Sequence, residues 1–389
     1  MRFFPHFSPP STEKVSPMTE TTPISATPLA VLLAEHTAPP ELAPYRGVLT
    51  PRQLDAPQRE IAALTAAAAV HDLGWLSRVA VRGEDRFRWL SGMVTNIVNE
   101  LPGNGLAWNL VLNAQGRILG DLHVSRDSDQ LELVLAVDQA ARLLTHFERF
   151  IIMDDVELVP LPALAALGLS GPRAADLLAG LGLPTPAEPM TSAHALWRGF
   201  QVRVARNYGV LAPHFEIWIE ASEIPSLWRV FTEAGAIPAG VTALEALRIA
   251  EAIPLYGQDI AERDLPQETS QMRTLNFSKG CYQGQEIVER IRSRGSVHRH
   301  LRSLELLGPL PSPGDALTLE AGDAQDAAAG LITSAAALPL GSGQRAFALA
   351  MMRGDAELRG QSFSYTVGAV VGTARILSTP PHLELGELS

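Results

Sequence analysis

Apolar and polar residues alternate from Trp75 to Val81, which predicts a strand; a turn at Gly83 and a helical stretch Asp85 to Met93 follow, with Phe87, Leu90 and Val94 on one side. Leu106 to Leu112 and Ile118 to Val124 read as strands flanking the turn Asn113-Ala114-Gln115-Gly116, and strand Leu131 to Val137 and helix Gln139 to Phe150 come next. The order then repeats. V-R-G-E-D-R-F-R-W-L-S-G from Val81 is similar to L-S-G-P-R-A-A-D-L-L-A-G from Leu169, and strands near Gln201 to Ala205 and Phe215 to Glu220 and helix Ile224 to Ala234 extend the second copy. Two related α+β lobes of ferredoxin-like type are predicted. Helix Thr242 to Glu251 leads into a long polar loop reaching Lys279, a length usually reserved for function. Beyond Leu301, short apolar runs broken by Pro309, Pro311, Pro313, Gly314, Gly341 and Gly343 predict a separate β-barrel-like domain. Residues 1–40, rich in Ser, Thr and Pro, read as a disordered lead without a secretory pattern, with Met18 as an alternative start. The expected division is therefore 1–40, 41–300 and 301–389.

Composition narrows the partners. The 389 residues carry a formal charge of −11, which argues against a protein devoted to nucleic-acid phosphates. No apolar run approaches the ~20 residues of a membrane helix. Cys281 is the single cysteine, so no intramolecular disulfide forms and one chain cannot ligate an iron–sulfur cluster alone; a reducing cytoplasm is expected, with no metal site of the chain's own. Lys14 and Lys279 are the only lysines among 31 basic residues, which marks Lys279 as a place where arginine does not substitute.

Several familiar sites are missing: there is no G-x-x-x-x-G-K-[ST], no H-E-x-x-H and no G-x-G-x-x-G, and Gly341-Ser342-Gly343 reads as a turn. What stands out is A-L-R-I-A-E-A-I-P-L-Y-G-Q-D-I from Ala246, Pro266-Gln267-Glu268, and K-G-C-Y-Q-G-Q-E from Lys279 to Glu286. With H-D-L-G-W-L-S-R-V-A-V-R-G-E-D and L-N-A-Q-G-R-I-L-G-D-L upstream, these resemble the glycine-cleavage T-protein superfamily from about Val70 to Ile376. The cysteine motif resembles its folate-binding YgfZ family, K-G-C-Y-x-G-Q-E, where the aminomethyltransferases look like K-G-x-F-I-G-K-E.

That resemblance implies two ferredoxin-like lobes and a C-terminal barrel around a folate-sized opening, with tetrahydrofolate as cofactor and iron–sulfur client proteins as partners. It carries over to Glu216 for the pterin edge, Arg248 for the glutamate tail and Trp108 as an aromatic wall, with Tyr282, Gln285 and Glu286 of the motif also placed at the folate. Cys281, Lys279 and Asp121 are the expected reactive residues, Lys279 and the folate setting the thiol's reactivity. Gly120 stands where aminomethyltransferases resemble G-G-I-x-D-D-L, so a carboxylate is missing beside Asp121. The expected function is a folate-binding accessory factor for iron–sulfur enzymes. The alternatives are a tetrahydrofolate-dependent aminomethyltransferase, against which Cys281 and Gly120 count, and a structural module without folate. A basic run, Arg290, Arg292, Arg294, His298, Arg299, His300 and Arg302, reads as a cradle for polyglutamate or an acidic partner, or as a solvated linker.

Overall fold

A computed structural model describes residues 24–319, 328–340, 343–379, 381 and 383. Residues 1–23, with Lys14 and Met18, and Gly341 and Ser342 of the expected turn lie outside the described residues. From residue 24 onward the structure departs from the expected lead. Pro28–Ala34 is a helix whose Leu29, Ala30 and Leu33 are buried, started by Thr27, whose hydroxyl accepts from the Ala30 N–H at 3.1 Å and donates to buried Asp72. A short apolar helix anchored by one cap leaves little periodicity for sequence reading to find.

Two antiparallel-rich sheets make the body. The first runs in the order Leu106–Leu112, Ile118–Asp127, Gln130–Ala136, Leu76–Arg82, Glu157–Pro160. The second runs Thr191–Trp197, Phe200–Asn207, His214–Glu220, Leu164–Ser170, Ala69–Asp72, Ile237–Ala239, and only its last pair is parallel. Strand alternation divides each sheet into a helix-covered face and an inner face. Leu122, Val124, Leu131, Leu133 and Leu135 pack with Leu143 and Phe147 of helix Val137–Glu148, while Leu167, Leu169, Val202, Val204, Ile217 and Ile219 pack with Leu227 and Phe231 of helix Ile224–Glu233. The residues between them, Asp121, His123 and Val134 on one sheet and Gly168, Ser170, Glu216 and Trp218 on the other, are left to face one another. Val134, Ala166, Leu73 and Trp218 meet as a small apolar plug between the sheets.

Helix Val241–Ala250 joins the lobes to a closed barrel of six strands, Arg299–Leu307, Gly343–Arg353, Gly330–Leu340, Ala316–Leu319, Ser362–Val367 and Val370–Ile376. The predicted mixed fold with a C-terminal barrel is thus observed. The long polar loop is partly folded into 3-10 turns at Pro266–Thr269 and Met272–Thr274, and the motif after it opens helix Gln285–Arg294. The basic run is not one surface. Arg299 pairs with Asp264 and Glu268 of the loop before the barrel, and Arg302 and His300 with Glu357 between barrel strands, so these cations are tied within the fold while Arg290 and Arg294 remain exposed. No helix among the described residues is long and apolar enough to cross a membrane.

Candidate functional site

The inner faces enclose a cavity of about 250 Å³, lined by Asp121, His123, Glu216, Trp108, Arg248 and Arg273 among others. Asp121 enters it because residues 121 and 123 alternate with core-facing Leu122 and Val124. Both of its oxygens are pre-oriented: the Trp108 indole Nε1–H donates to Oδ2 at 3.0 Å and Gln139 Nε2 donates to Oδ1 at 3.0 Å. Opposite, Glu216 accepts from Asn207 Nδ2 on one oxygen and from Trp218 Nε1 on the other at 2.9 Å. A carboxylate has about four lone-pair sites, so each oxygen keeps one for a ligand. His123, which sequence reading did not single out, faces both carboxylates; burial lowers its pKa, Glu216 and Asp121 oppose that, and Arg273 and Arg203 reinforce it.

Gly120 points the other way. A Cβ there would meet Gln139 Oε1 at 2.5 Å and Leu143 at 3.0 Å, on the helix-covered face. A carboxylate at position 120 would lie beneath the helix and not in the cavity, so the replacement loses its force against the aminomethyltransferase reading.

Two expected residues have further partners. Trp108 lines the cavity with Arg273 5.0 Å from its ring centroid and His123 tilted at 6.2 Å, and its indole N–H aims Asp121. Arg248 lines the cavity, but its donors are committed to Glu245, Asp259, Ser334 Oγ at 3.0 Å and the Ile253 carbonyl at 3.2 Å. Burial alone would lower its pKa, yet Asp259 and Glu245 together hold it above its ordinary value. The guanidinium is a tie between lobe and barrel. Uncommitted cationic nitrogen lies elsewhere. Arg273 Nε is buried without a hydrogen-bond partner, its guanidinium 3.7 Å from the Tyr208 ring centroid, and Arg46 Nε sits 3.4 Å from Asp138 Oδ1 in an ion pair lacking hydrogen-bond geometry.

Three more buried polar atoms of cavity residues have no partner, namely His71 Nδ1, Trp75 Nε1 and Asn207 Oδ1. Unpaired buried polar groups are rare in native proteins and call for an explanation. Clustered around one cavity, these donors and acceptors have the chemistry of a polar heterocycle's contacts.

The cysteine motif lies apart from the cavity. Lys279, 8% exposed, donates its ammonium to the carbonyls of Val94 at 2.8 Å and Asn96 at 2.6 Å and lies 5.4 Å from the Tyr282 ring centroid. Burial pushes its pKa down to about 8, with Glu100 opposing. Two closely set carbonyls suit a compact ammonium better than a planar fork. None of the ammonium's hydrogen bonds reaches Cys281, whose side chain is exposed. Gly284, at φ +80°, lets the loop press on the 113–116 turn, where a Cβ would meet the Asn113 carbonyl at 2.6 Å. Tyr282 is buried beside Lys279, Gln285 Oε1 accepts from the Tyr282 N–H at 3.3 Å, and Glu286 sits in the first turn of its helix. Tyr282, Gln285 and Glu286 are not cavity residues, because the loop packs against the hairpin of the first sheet.

Residues 41–279, more than half the chain, match the model of the GCVT N-terminal domain family. The chain belongs to this family. Among its relatives, the aminomethyltransferase of Anoxybacillus flavithermus is 29% identical over 287 residues, covering 71% of this chain and 78% of the relative. The aminomethyltransferase of Moorella thermoacetica is 26% identical over 362 residues, covering 90% and 96%. The crystal structure of glycine cleavage system aminomethyltransferase T from Bartonella henselae superposes with a TM-score of 0.81 at 20% identity, covering 92% of this chain and 98% of that one. The GCVT fold is therefore shared across the described lobes and barrel.

Proposed function

We propose that the chain binds tetrahydrofolate in the central cavity and uses it as a tetrahydrofolate-dependent aminomethyltransferase does. The observation that carries this reading is the pair of facing carboxylates, Asp121 and Glu216, each held at both oxygens by side-chain N–H donors with lone pairs to spare. Glu216 accepts paired N–H groups of an amino-pyrimidine edge, a charge-assisted arrangement. Tetrahydrofolate, when bound, supplies the nitrogens that take up the one-carbon unit. Asp121, kept oriented by Trp108 and Gln139, holds or accepts a proton near those nitrogens. Arg273 and Arg46 supply the positive charge that a glutamate tail needs, in place of Arg248. The names of the relatives support the same chemistry, and the position of Gly120 removes an objection to it. The test is formation of methylenetetrahydrofolate from tetrahydrofolate and an aminomethylated lipoyl carrier. Activity above background that Asp121→Asn abolishes supports the reading; background-level product from folded, folate-bound protein overturns the transfer step.

A second reading keeps the same folate site and adds an accessory role for iron–sulfur enzymes. It rests on the exposure of Cys281 within K-G-C-Y-Q-G-Q-E. A lone thiol must borrow further ligands from a partner, a second copy or a small thiol. Complementation of a strain lacking the protein, scored by an iron–sulfur enzyme, separates the readings: Cys281→Ser fails to restore activity in this one and is silent in the first.

A further inference from the structure

One wall of the cavity carries a chain of hydrogen bonds that ends on an unpaired nitrogen. Glu251 Oε1 accepts from the backbone N–H groups of Val210 at 2.9 Å and Leu211 at 2.8 Å, and Oε2 lies 2.9 Å from His214 Nε2. His214 Nδ1 lies 2.9 Å from Ser170 Oγ, which in turn lies 2.9 Å from His71 Nε2. His71 Nδ1 is buried and has no partner, and the residue is 5% exposed. His71 and Glu216 are the two cross-strand neighbours of Gly168. The His71 ring fills the space above that glycine, since a Cβ there would stand 1.8 Å from His71 Cε1. The ring with the unpaired nitrogen therefore lies over the glycine that separates His71 from Glu216, and both residues line the cavity.

A hydroxyl has one proton, and a carboxylate only accepts. His214 Nε2 therefore carries a proton in either charge state. When His214 is an imidazolium, its Nδ1–H donates to Ser170, the hydroxyl proton turns to His71 Nε2, and neutral His71 bears its own proton on Nδ1. When His214 is neutral, Nδ1 accepts from Ser170, Ser170 accepts from His71 Nε2–H, and His71 Nδ1 is a bare acceptor.

We propose that His71 Nδ1 reads the ring substituent next to the edge held by Glu216, and that His214, through Ser170, sets whether it donates or accepts. The proposal rests on the folate reading. A 2-amino-4-oxo ring directs its N–H groups at Glu216 and its oxo group at a donor on His71; a 2,4-diamino ring presents a donor there and, lacking the ring N–H beside it, offers Glu216 one N–H fewer, so it is the pH dependence of the preference that reports on His71. The groups facing His214 are Glu251 after helix Val241–Ala250 and His71 from strand Ala69–Asp72, with Arg273 facing Glu251 in turn. Burial opposes the charge on His214, but Glu251 outweighs it and raises its pKa. Burial, then the charge of His214, pushes His71 down to about 3, with the Asp72 backbone beside the ring opposing, so His71 stays neutral while His214 titrates.

The experiment has two arms on the full chain. Ring 15N shifts of His71 are followed from about pH 5 to about pH 9, a range that spans a raised imidazole pKa. Calorimetry on either side of the His214 titration compares tetrahydrofolate with a reduced 2,4-diamino analogue. The expected result is a His71 proton on Nδ1 at low pH and on Nε2 at high pH, with a preference for tetrahydrofolate of about 10- to 100-fold at low pH that narrows at high pH. Ser170→Ala keeps binding and loses the pH dependence of that preference. A His71 tautomer that ignores His214, or a preference between the two ligands that does not change with pH, overturns the proposal while leaving the folate reading intact. Failure of both ligands to bind overturns the folate reading itself, and the proposal with it.

Discussion

Trp108 donates its indole N–H to Asp121 across the hairpin that joins their strands, at 3.0 Å. The residue expected as an aromatic wall is also the clamp on the residue expected to react. Trp108→Phe keeps an aromatic ring and removes the donor. Tetrahydrofolate affinity should fall by at most about 1.5–3 kcal/mol, the value of one hydrogen bond to a charged group. Calorimetry checks this, and unchanged affinity would free Asp121 from dependence on Trp108.

Gly120 and Gln139 give a prediction on stability. Gly120→Asp forces a carboxylate against Gln139 and Leu143 beneath helix Val137–Glu148. Urea denaturation should show a loss of about 3 kcal/mol or more, with no gain in transfer activity. A neutral effect would mean that the side chain escapes into the cavity.

Much of the fold was legible because strand alternation and helical periodicity are local. Strand Leu106–Leu112 has the predicted ends, and strands Leu76–Arg82, Ile118–Asp127 and Gln130–Ala136 and helices Arg86–Met93 and Val137–Glu148 fall close to theirs, while the four-residue edge strand Glu157–Pro160 was not predicted. Thr191–Trp197 was missed because its exposed Leu196 and His194 blur the alternation of an edge strand. Asp121 and Glu216 were legible as cavity residues through resemblance. The commitment of Arg248 to Asp259 and Ser334 was not, because these partners lie 11 and 86 residues away and meet only once the barrel closes on the lobes. His71, Ser170 and His214 come together only through strand register.

Arg248 and Arg273 can be told apart by experiment. Arg248→Lys should cost about 2–4 kcal/mol of stability by removing a forked, buried set of contacts, and leave folate affinity unchanged. Arg273→Gln should weaken a polyglutamylated folate more than one without a glutamate tail. The reverse pattern would return the tail to Arg248.

The His214–Glu251 pair predicts a pH profile. Burial raises the Glu251 pKa, but His214 and the backbone N–H groups outweigh it and the net shift is downward; that of His214 is upward. The carboxylate's contribution is present above its unfolded pKa and lost as pH falls through its depressed folded value. The imidazole's contribution is full below its unfolded pKa and lost as pH rises through its raised folded value. Both are complete between about pH 4.5 and about pH 6.5. Glu251→Gln should therefore destabilise most in that window, by about 3 kcal/mol, and progressively less above it. Denaturation of wild type and variant across pH measures the difference; a gap that widens above the window would assign Glu251 another partner.

The central claim is that a reduced folate sits between Asp121 and Glu216. Titration calorimetry of tetrahydrofolate into the wild type and folded Glu216→Gln tests it most directly. The account predicts saturable binding to the wild type and a loss of about 1.5–3 kcal/mol in the variant, as expected when a charge-assisted pair is broken. Equal affinity in the two proteins would remove Glu216 from the site, and no binding to the wild type would leave a fold without its folate.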